Sequence, residues 1–271
     1  MAGPLITVKE LRERLAEVTV LDVRYRMGGP PGREEYAAGH VPGAAYVDLD
    51  EDLAAAPGER GRHPLPDAAA FQADMRRLGV CNDRPVVVYD DWGGRAAARC
   101  WWLLSWAGHP DVRVLDGGWT AWLAEGGLPS NGQDPVAGGD LTVRPGGLPV
   151  LRPEQVLRAG RDGVLVDARA PERFRGDVEP VDPVAGHIPG AVNVPTDANL
   201  AEDGRFRSPD ELRAAYAAVR VVPGADVAVY CGSGVTACQD ILALETIGIS
   251  ARLYPGSWSE WVSLGRPVER G

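Results

Sequence analysis

Short apolar runs alternate along the chain with longer segments of helical periodicity. Residues 227–230, Val-Ala-Val-Tyr, form one such run and predict a buried strand. In residues 237–247 the apolar side chains recur at helical spacing, which predicts a helix with one buried face. This alternation favours an α/β fold, in which a mainly parallel sheet is flanked by helices on both faces. Functional sites in such sheets lie beyond the carboxyl ends of the strands.

Two helix starts carry the side chains of a capping box. Thr7 precedes Glu10 by one helical turn, and Ser208 stands in the same relation to Glu211. In this arrangement the hydroxyl and the carboxylate each accept a backbone N–H that the helix leaves unpaired. We therefore expect helices to begin directly after Thr7 and Ser208.

The two halves of the chain carry the same series of landmarks. Each half has an apolar strand ending in Asp-x-Arg, then Gly-His-x-Pro-Gly-Ala, a strand ending in Tyr, and a Trp-x-x-Trp pair. The landmarks are residues 20–24, 39–44, 86–89 and 119–122 in the first half and residues 165–169, 186–191, 227–230 and 258–261 in the second. Such self-similarity indicates two copies of one domain. A segment rich in Gly and Pro between them suits a linker, which predicts a first domain at 1–125, a linker at 126–149 and a second domain at 150–271.

The composition narrows the class of partner and the compartment. The formal net charge of −10 disfavours nucleic acid or an anionic membrane as the main partner. No apolar run approaches the roughly 20 residues that span a bilayer. Residues 1–17 predict a capping box and a short helix, and we do not expect them to act as a secretory signal. We expect a cytoplasmic protein.

The cysteines give no sign of a structural metal. Cys81, Cys100, Cys231 and Cys238 form no CxxC pair, and no Cys/His group has zinc-ligand spacing. In a reducing compartment we also expect these thiols to stay free of disulfides.

Cys231 opens the run Cys-Gly-Ser-Gly-Val-Thr, between the predicted strand and the predicted helix. At such a turn, unpaired backbone N–H groups converge with the positive end of the helix. That environment favours thiolate over thiol and makes the sulfur nucleophilic. Gly232 and Gly234 permit the backbone angles of an anion-binding nest. The alternative interpretation is a buried, inert cysteine at the end of a core strand.

The internal repeat separates structural features from chemical ones. His40 and His187 both lie in Gly-His-x-Pro-Gly-Ala, so each is interpreted first as holding its loop together. Cys231 has no such counterpart, because Tyr89 is followed by Asp90, and a carboxylate cannot form a stable sulfur-linked intermediate. We therefore expect the second half to react and the first half to support it.

Together these landmarks resemble the tandem-domain rhodanese family, which includes thiosulfate and 3-mercaptopyruvate sulfurtransferases. The similarity covers almost the whole chain outside the linker and is strongest at residues 231–236. In that family the second domain carries the reactive cysteine and an aspartate commonly replaces it in the first, as Cys231 and Asp90 do here. The resemblance implies two rhodanese-like domains, each built around a five-stranded parallel sheet, and no metal or organic cofactor.

The resemblance also implies sulfur transfer in two steps. The Cys231 thiolate takes sulfur from a small anionic donor, thiosulfate or 3-mercaptopyruvate, and becomes a persulfide. Cyanide, a small thiol or a thioredoxin-like acceptor then removes the outer sulfur, which divides one difficult transfer into two. The donor and the anionic sulfur would be held by loop residues Gly232, Ser233, Gly234, Val235 and Thr236.

Three further side chains carry implied or possible roles. Arg173 matches the family arginine that binds the donor anion, and its alternative is a salt bridge. Ser233 either hydrogen-bonds the donor carbonyl or aids its protonation, or it only shapes the turn. His40 is available to assist Ser233 in the acid–His–Ser relay proposed for the mercaptopyruvate enzymes. The second donor arginine of those enzymes is missing from residues 177–183, so the choice between thiosulfate and 3-mercaptopyruvate stays open.

Two other classes compete with a sulfurtransferase. A cysteine phosphatase places an arginine after Cys and five further residues, where this chain has Ala237, so that class is disfavoured. A sulfur carrier or rhodanese-like interaction module without turnover is the second alternative. The intact loop after Cys231 favours the enzyme.

Overall fold

A computed structural model describes residues 3–271, which form two compact units. The first unit comprises residues up to Ala55, Leu65–Leu148 and Glu202–Arg205; the second comprises Ala56–Pro64, Pro149–Ala201 and Phe206–Gly271. Each unit therefore includes a short segment from the other half of the sequence, whereas the predicted domain limits treated each half as continuous. Within residues 3–271, no helix combines the length and apolar character needed to cross a bilayer.

The first unit is an α/β sandwich around one parallel sheet. Its strands are β1 Leu5–Ile6, β2 Thr19–Asp22, β3 Ala45–Tyr46, β4 Val86–Tyr89 and β5 Val112–Leu115, in the order β1-β5-β4-β2-β3. Its helices are α1 Val8–Arg14, α2 Gly32–Ala38, α3 Leu49–Asp52, α4 Ala68–Arg77, α5 Arg95–Trp106 and α6 Gly118–Ala124, with a 3₁₀ turn at Leu15–Glu17. All neighbouring strands in the described sheet are parallel, as the alternating sequence pattern predicts.

The second unit repeats this architecture. Its strands are β6 Val164–Asp167, β7 Ala191–Asn193, β8 Val227–Tyr230 and β9 Ala251–Leu253, in the order β7-β6-β8-β9 and all parallel. Its helices are α7 Val156–Asp162, α8 Pro171–Arg175, α9 Pro209–Ala217, α10 Ala237–Thr246 and α11 Ser257–Ser263, with 3₁₀ turns at Pro153–Gln155 and Thr196–Asn199. The predicted strand at 227–230 and the predicted helix at 237–247 are both confirmed, the helix ending one residue early.

The second sheet has four strands where the resemblance implied five. The fifth position, beside β9, is reduced to a parallel bridge between Val150 and Leu253, with Leu151 N donating to Leu253 O at 2.7 Å. Pro149 and Pro153 flank this stretch, and proline has no N–H to extend a ladder. The strand therefore shortens to one bridge.

The capping boxes form as predicted. The Thr7 side chain accepts from Glu10 N while Glu10 accepts from Thr7 N at 2.9 Å, and α1 begins at the next residue. Ser208 and Glu211 make the same exchange at the start of α9. These two helix starts are thus fixed by local sequence alone.

The repeated Gly-His motifs hold loops in both units. His40 Nδ1 lies 2.8 Å from the Tyr36 carbonyl and its ring stacks on Tyr36. His187 Nδ1 lies 2.8 Å from the Phe174 carbonyl and stacks on Phe174 in the same way. Both rings are buried. The structural interpretation of the two histidines agrees with these contacts.

The segment predicted as a linker packs with the first unit. Ser130 and His40 exchange two backbone hydrogen bonds at 2.9 Å, and Gly139 N donates to Arg76 O at 2.7 Å. Leu141 is buried. The segment up to Leu148 therefore packs as part of the first unit.

Candidate active site

Cys231 lies directly after β8, at the carboxyl end of the second sheet. Only 2% of its surface is exposed, and Gly234 N donates to its Sγ at 3.1 Å. The loop then turns into α10, whose N-cap is Thr236, while the Val235 carbonyl accepts from Cys238 N at 3.1 Å. The sulfur thus sits where the loop backbone already donates a hydrogen bond to it.

The start of α11 fixes the backbone of Cys231. Trp258 N donates to the Cys231 carbonyl at 3.0 Å, and Ser259 N donates to the Gly232 carbonyl at 2.9 Å. The Ser257 hydroxyl accepts from Cys231 N at 3.1 Å, donates to the Tyr254 carbonyl at 2.9 Å and lies 4.0 Å from Sγ. The cysteine is therefore held on both sides of its peptide.

Two loop glycines are required for different reasons. Gly234 has φ = +79°, and a Cβ on it would overlap the Pro255 carbonyl. A Cβ on Gly232 would instead lie 3.0 Å from Arg62 Nη2 and 3.6 Å from Arg173 Nη1. Gly234 gives the loop its conformation, and Gly232 leaves room for two guanidinium groups beside the cysteine.

Arg173, the predicted donor-binding residue, points over Gly232 and is also ion-paired. Its Nη2 lies 2.6 Å from Glu179 Oε1, its Nε lies 3.2 Å from Glu179 Oε2, and its Nη2 lies 3.5 Å from Asp182. Burial opposes ionisation of Glu179, but the hydrogen bonds from Arg173 and two backbone N–H groups hold the pKa of Glu179 below its usual value. The salt-bridge alternative is thus present in the structure, next to the predicted donor position.

Arg62 is the second guanidinium at this site. It comes from the segment Ala56–Pro64, pairs through Nη1 with Asp182, and is anchored where Arg62 N donates to Ser259 Oγ at 3.2 Å. Its side chain is 29% exposed and that of Arg173 is 18% exposed. Burial raises the pKa of Asp182, against the opposing pull of Arg62.

The same segment brings a histidine to the loop. His63 Nδ1 lies 2.7 Å from Ser233 Oγ, so one ring nitrogen and the hydroxyl share a hydrogen bond. His40, expected as an assisting residue, lies in the first unit, where its Nε2 is 3.3 Å from Asp134 and its ring is fully buried. The histidine that the structure places on Ser233 is therefore His63.

The loop of the first unit contains an anion of its own. Asp90 Oδ1 accepts from Trp92 N and Gly94 N, both at 2.8 Å, and Oδ2 accepts from Ala97 N at 2.9 Å. Complete burial raises the Asp90 pKa although these three N–H groups favour the carboxylate. The Asp90 side chain fills the nest that would otherwise surround a nucleophile, which is consistent with a non-reacting first half.

A buried carboxyl group lies in α10 behind the reactive loop. Asp240 Oδ1 accepts from Asn199 Nδ2 at 3.0 Å, and the Asp240 carbonyl accepts from Tyr216 at 3.4 Å. Complete burial raises the pKa of Asp240 well above its usual value, and the nearby negative charge of Cys231 adds to the shift. The raised pKa of Asp240 lowers the tendency of this group to add a second buried negative charge next to Cys231.

The sequence motifs do not predict Arg62 and His63 as site residues. A signal for them is present in the repeat, because Glu59-Arg60-Gly61-Arg62 resembles Glu202-Asp203-Gly204-Arg205. Residues 59–62 belong to the second unit, and residues 202–205 belong to the first unit. In the first unit Arg205 lies beside Gly117 and pairs with Glu125 at 2.5 Å. The two similar segments, residues 59–62 and 202–205, each pack with the other half's unit, which indicates a shared packing role. Arg62 and His63 also make polar contacts in the second unit.

All four cysteines are free thiols, and residues 3–271 contain no group of three or more His, Cys, Asp or Glu arranged to hold a metal ion. Cys238 Sγ contacts the Gly234 carbonyl at 3.3 Å and is buried in α10. The described site brings together Cys231, loop backbone amides, the guanidinium groups of Arg62 and Arg173, and the Ser233–His63 pair.

The comparisons with known proteins agree with this architecture. Residues 7–125 and 153–264 each match the rhodanese-like domain family. A Mycobacterium tuberculosis protein assigned as the thiosulfate sulfurtransferase SseB is 49% identical, over 98% of this chain and 97% of its own length. A Pseudomonas aeruginosa protein assigned as a 3-mercaptopyruvate sulfurtransferase is 45% identical, over 100% and 99% respectively.

A solved structure extends the likeness to three dimensions. The crystal structure of SseA from Escherichia coli, described for the fold and mechanism of 3-mercaptopyruvate sulfotransferases, matches with a TM-score of 0.85 and 32% identity. The match covers 95% of this chain and 100% of SseA. The chain belongs to the rhodanese family and is a two-domain sulfurtransferase.

Proposed function

We propose that the protein moves sulfur from thiosulfate or 3-mercaptopyruvate through a Cys231 persulfide to cyanide or a thiol acceptor. The observation that carries this proposal is the Cys231 sulfur at a strand-to-helix loop, hydrogen-bonded by Gly234 N, with the guanidinium groups of Arg62 and Arg173 beside the neighbouring Gly232. A thiolate so placed has an amide donor, and the two guanidinium groups can donate hydrogen bonds to an anionic substrate. The names of the relatives supply the two donors.

In the first half-reaction the Cys231 thiolate attacks the donor sulfur and a new S–S bond forms. With thiosulfate, the old S–S bond breaks and sulfite leaves with its electron pair. With 3-mercaptopyruvate, the C–S bond breaks, its electron pair passes into the adjacent carbonyl as an enolate, and a proton converts the enolate to pyruvate. Ser233, which shares a hydrogen bond with His63, is the side chain that supplies this proton.

In the second half-reaction the acceptor attacks the outer sulfur and the S–S bond breaks. The electron pair returns to Cys231 as thiolate, so no external oxidant or reductant is consumed when cyanide or a thiolate accepts the sulfur. Loop amides stabilise the anionic sulfur in both states. Free cysteines suit a reducing cytoplasm, where thiol and thioredoxin-like acceptors are available.

Arg173 binds the donor anion in this scheme, in agreement with its place over Gly232. Cys231 is 2% exposed, and Arg62 and Arg173 beside Gly232 are partly exposed, so we expect these two side chains to move when a donor binds. Glu179 and Asp182 pair with these guanidinium groups when no donor is bound.

The test is mass spectrometry of the intact protein after exposure to each donor. We expect wild type to gain one sulfur atom, removable by cyanide or dithiothreitol, and to turn over repeatedly when donor and acceptor are both present. Cys231→Ser should neither gain sulfur nor turn over, whereas Cys81→Ser, a partly exposed thiol in the first unit, should behave as wild type. Loading of Cys231 without repeated turnover would instead identify a sulfur carrier.

A further inference from the structure

Asp182 contacts two guanidinium groups beside the loop that follows β8. Its Oδ1 pairs with Arg62 Nη1, and its Oδ2 lies 3.5 Å from Arg173 Nη2. Both guanidinium groups also lie beside Gly232, because Arg62 Nη2 is 3.0 Å and Arg173 Nη1 is 3.6 Å from the position that a Cβ would occupy there. An anion that approaches this part of the loop therefore meets guanidinium groups that a carboxylate of the chain already engages.

The segment that carries Asp182 has its acidic side chains inside and its valines outside. The carboxylates of Glu179 and Asp182 are almost fully buried, whereas Val178 and Val181 are exposed. Folded proteins ordinarily show the opposite preference, with valine buried and acidic residues exposed. The inverted arrangement indicates that ion pairs to the arginines, and not apolar burial, hold these carboxylates in place.

The two carboxylates are held unequally. Glu179 accepts from Arg173 at 2.6 and 3.2 Å and from the backbone N–H groups of Val181 and Asp182 at 3.2 and 3.1 Å. Asp182 Oδ2 is buried and accepts no hydrogen bond within residues 3–271, and burial raises the pKa of Asp182. A buried oxygen without a hydrogen bond has lost its hydration without a replacement. Asp182 is therefore the less firmly held carboxylate, and the one that another anion can replace.

We propose that Asp182 is an autoinhibitory contact, a carboxylate of the chain that occupies Arg62 and Arg173 and that an anionic sulfur donor has to displace. This inference rests on the proposed function, in which Arg173 binds the donor, and adds a control on donor loading. Every anionic donor meets the same competition, so thiosulfate and 3-mercaptopyruvate are affected alike.

The backbone around Asp182 keeps the displaced carboxylate close. Pro183 follows it directly and has a fixed φ, and Trp258 Nε1 donates to the Val184 carbonyl at 2.9 Å. A tethered group competes at a high effective concentration. The carboxylate can therefore return to the arginines when the donor leaves.

The first experiment measures the rate of Cys231 persulfide formation against donor concentration in the intact protein. Asp182→Asn removes the charge and nearly preserves the shape, so we expect the half-saturating concentration to fall about tenfold with either donor, the difference typical of one charge-assisted hydrogen bond. Asp182→Glu keeps the charge and should stay closer to wild type. Asp177→Asn makes the same change at an exposed position of the same segment and should load as wild type does.

Alkylation of Cys231 tests the same contact without sulfur transfer. Iodoacetate is an anion and iodoacetamide is neutral, and peptide mass spectrometry reads the rate at Cys231 apart from the other thiols. Asp182→Asn should raise the ratio of the iodoacetate rate to the iodoacetamide rate, whereas Asp177→Asn should leave this ratio unchanged. Thermal unfolding shows whether each variant is folded, and Asp182→Ser is a second neutral variant.

The outcomes separate this inference from the proposed function. If wild type forms no persulfide with either donor, the proposed function fails, and the alkylation ratio still tests Asp182. If folded Asp182→Asn has unchanged half-saturating concentrations and an unchanged alkylation ratio, Asp182 does not compete with anions. If the half-saturating concentrations rise instead, Asp182 orients the arginines for the donor and the inference is overturned. If neither neutral variant folds, the carboxylate is required by the fold and the autoinhibitory role is overturned as well.

Discussion

His63 Nδ1 lies 2.7 Å from Ser233 Oγ, and Ser233 comes two positions after Cys231 in the same loop. A hydroxyl with a histidine at hydrogen-bond distance can pass a proton that the hydroxyl alone would hold tightly. Only one of the two candidate donors needs such a proton, because the enolate from 3-mercaptopyruvate must be protonated and sulfite leaves as an anion. The pair therefore predicts a donor-selective effect.

We expect His63→Ala to slow persulfide formation from 3-mercaptopyruvate by about a hundredfold, the usual size of a general acid–base contribution. Formation from thiosulfate should change far less. Rapid-quench measurement of both loading reactions in the same variant supplies an internal control. Ser233→Ala should show the same selectivity, and the double variant should lose little more than either single one, because the two side chains act as one unit. Equal losses with both donors would exclude this proton-transfer role.

The sequence predicted the features that depend on local pattern and on repetition. The β8 strand, the α10 helix and the capping boxes are set by neighbouring residues, and all formed as expected. The two-domain α/β architecture followed from repeated landmarks. Comparison of the halves indicates Cys231 as the candidate nucleophile, because the matching residue in the first half is Asp90, and that role stays a prediction.

The sequence did not predict what long-range packing decides. Arg62 and His63 are about 170 positions from the loop that they contact, and no periodicity records such a pairing. Residues 177–183 lack a second arginine, while the structure brings the guanidinium of Arg62 to the loop from another segment. The Gly-His motif predicts His40 as an assisting residue, but its contacts with Tyr36 and Asp134 depend on the folded chain.

Two substitutions at Ser257 can separate the effect of its hydroxyl hydrogen bond from the effect of its strained backbone. Ser257 has φ = +52°, whereas its counterpart in the first half, Gly118, has φ = +55° without a side chain. A serine in this conformation costs about 1–3 kcal/mol, yet its hydroxyl accepts from Cys231 N at 3.1 Å. We expect Ser257→Ala to lose reactivity and stability, since it keeps the strain without the hydrogen bond. Ser257→Gly should lose similar reactivity but unfold at a higher urea concentration than Ser257→Ala.

The measurements are the alkylation rate of Cys231 and urea unfolding of each variant. Gly118→Ser tests the same position in the first unit, where a Cβ would overlap the Asp90 carbonyl. That variant should be destabilised. If Ser257→Ala is as stable and as reactive as wild type, the Ser257 hydroxyl does not position Cys231.

Substitution of Gly234 should disturb the loop both because a Cβ has no space there and because of its positive φ. Gly234→Ala places a Cβ against the Pro255 carbonyl at φ = +79°, so the loop must shift and the amide that donates to Cys231 Sγ must move. We expect loss of persulfide formation. Gly248→Ala is the matched control, because Gly248 has φ = +77° with nothing near its Cβ position. It should cost only the strain of about 1 kcal/mol and leave sulfur loading unchanged. Comparable inactivation in both variants would show that loop geometry at Gly234 is not the cause.

Asp240 predicts a pH-dependent cost in stability. Its pKa in the folded protein is raised well above the usual 3.8 because the carboxyl is completely buried. As pH rises past 3.8, the unfolded chain ionises this group while the folded protein keeps the proton, so the folded state is progressively disfavoured until the raised pKa is reached. Asp240→Asn cannot ionise and retains an oxygen for the Asn199 amide. We therefore expect Asp240→Asn to gain stability over wild type as pH rises from about 4 to 8.

Thermal unfolding of both proteins across that pH range measures the difference in Tm. The control is Glu202→Gln, which makes the same kind of carboxyl-to-amide change at an exposed position. A constant difference between Asp240→Asn and wild type from pH 4 to 8 would mean that Asp240 ionises equally in the folded and unfolded states. That result would rule out the hypothesis that Asp240 keeps its proton in the folded protein. It would also rule out the idea that α10 thereby avoids a second negative charge near Cys231.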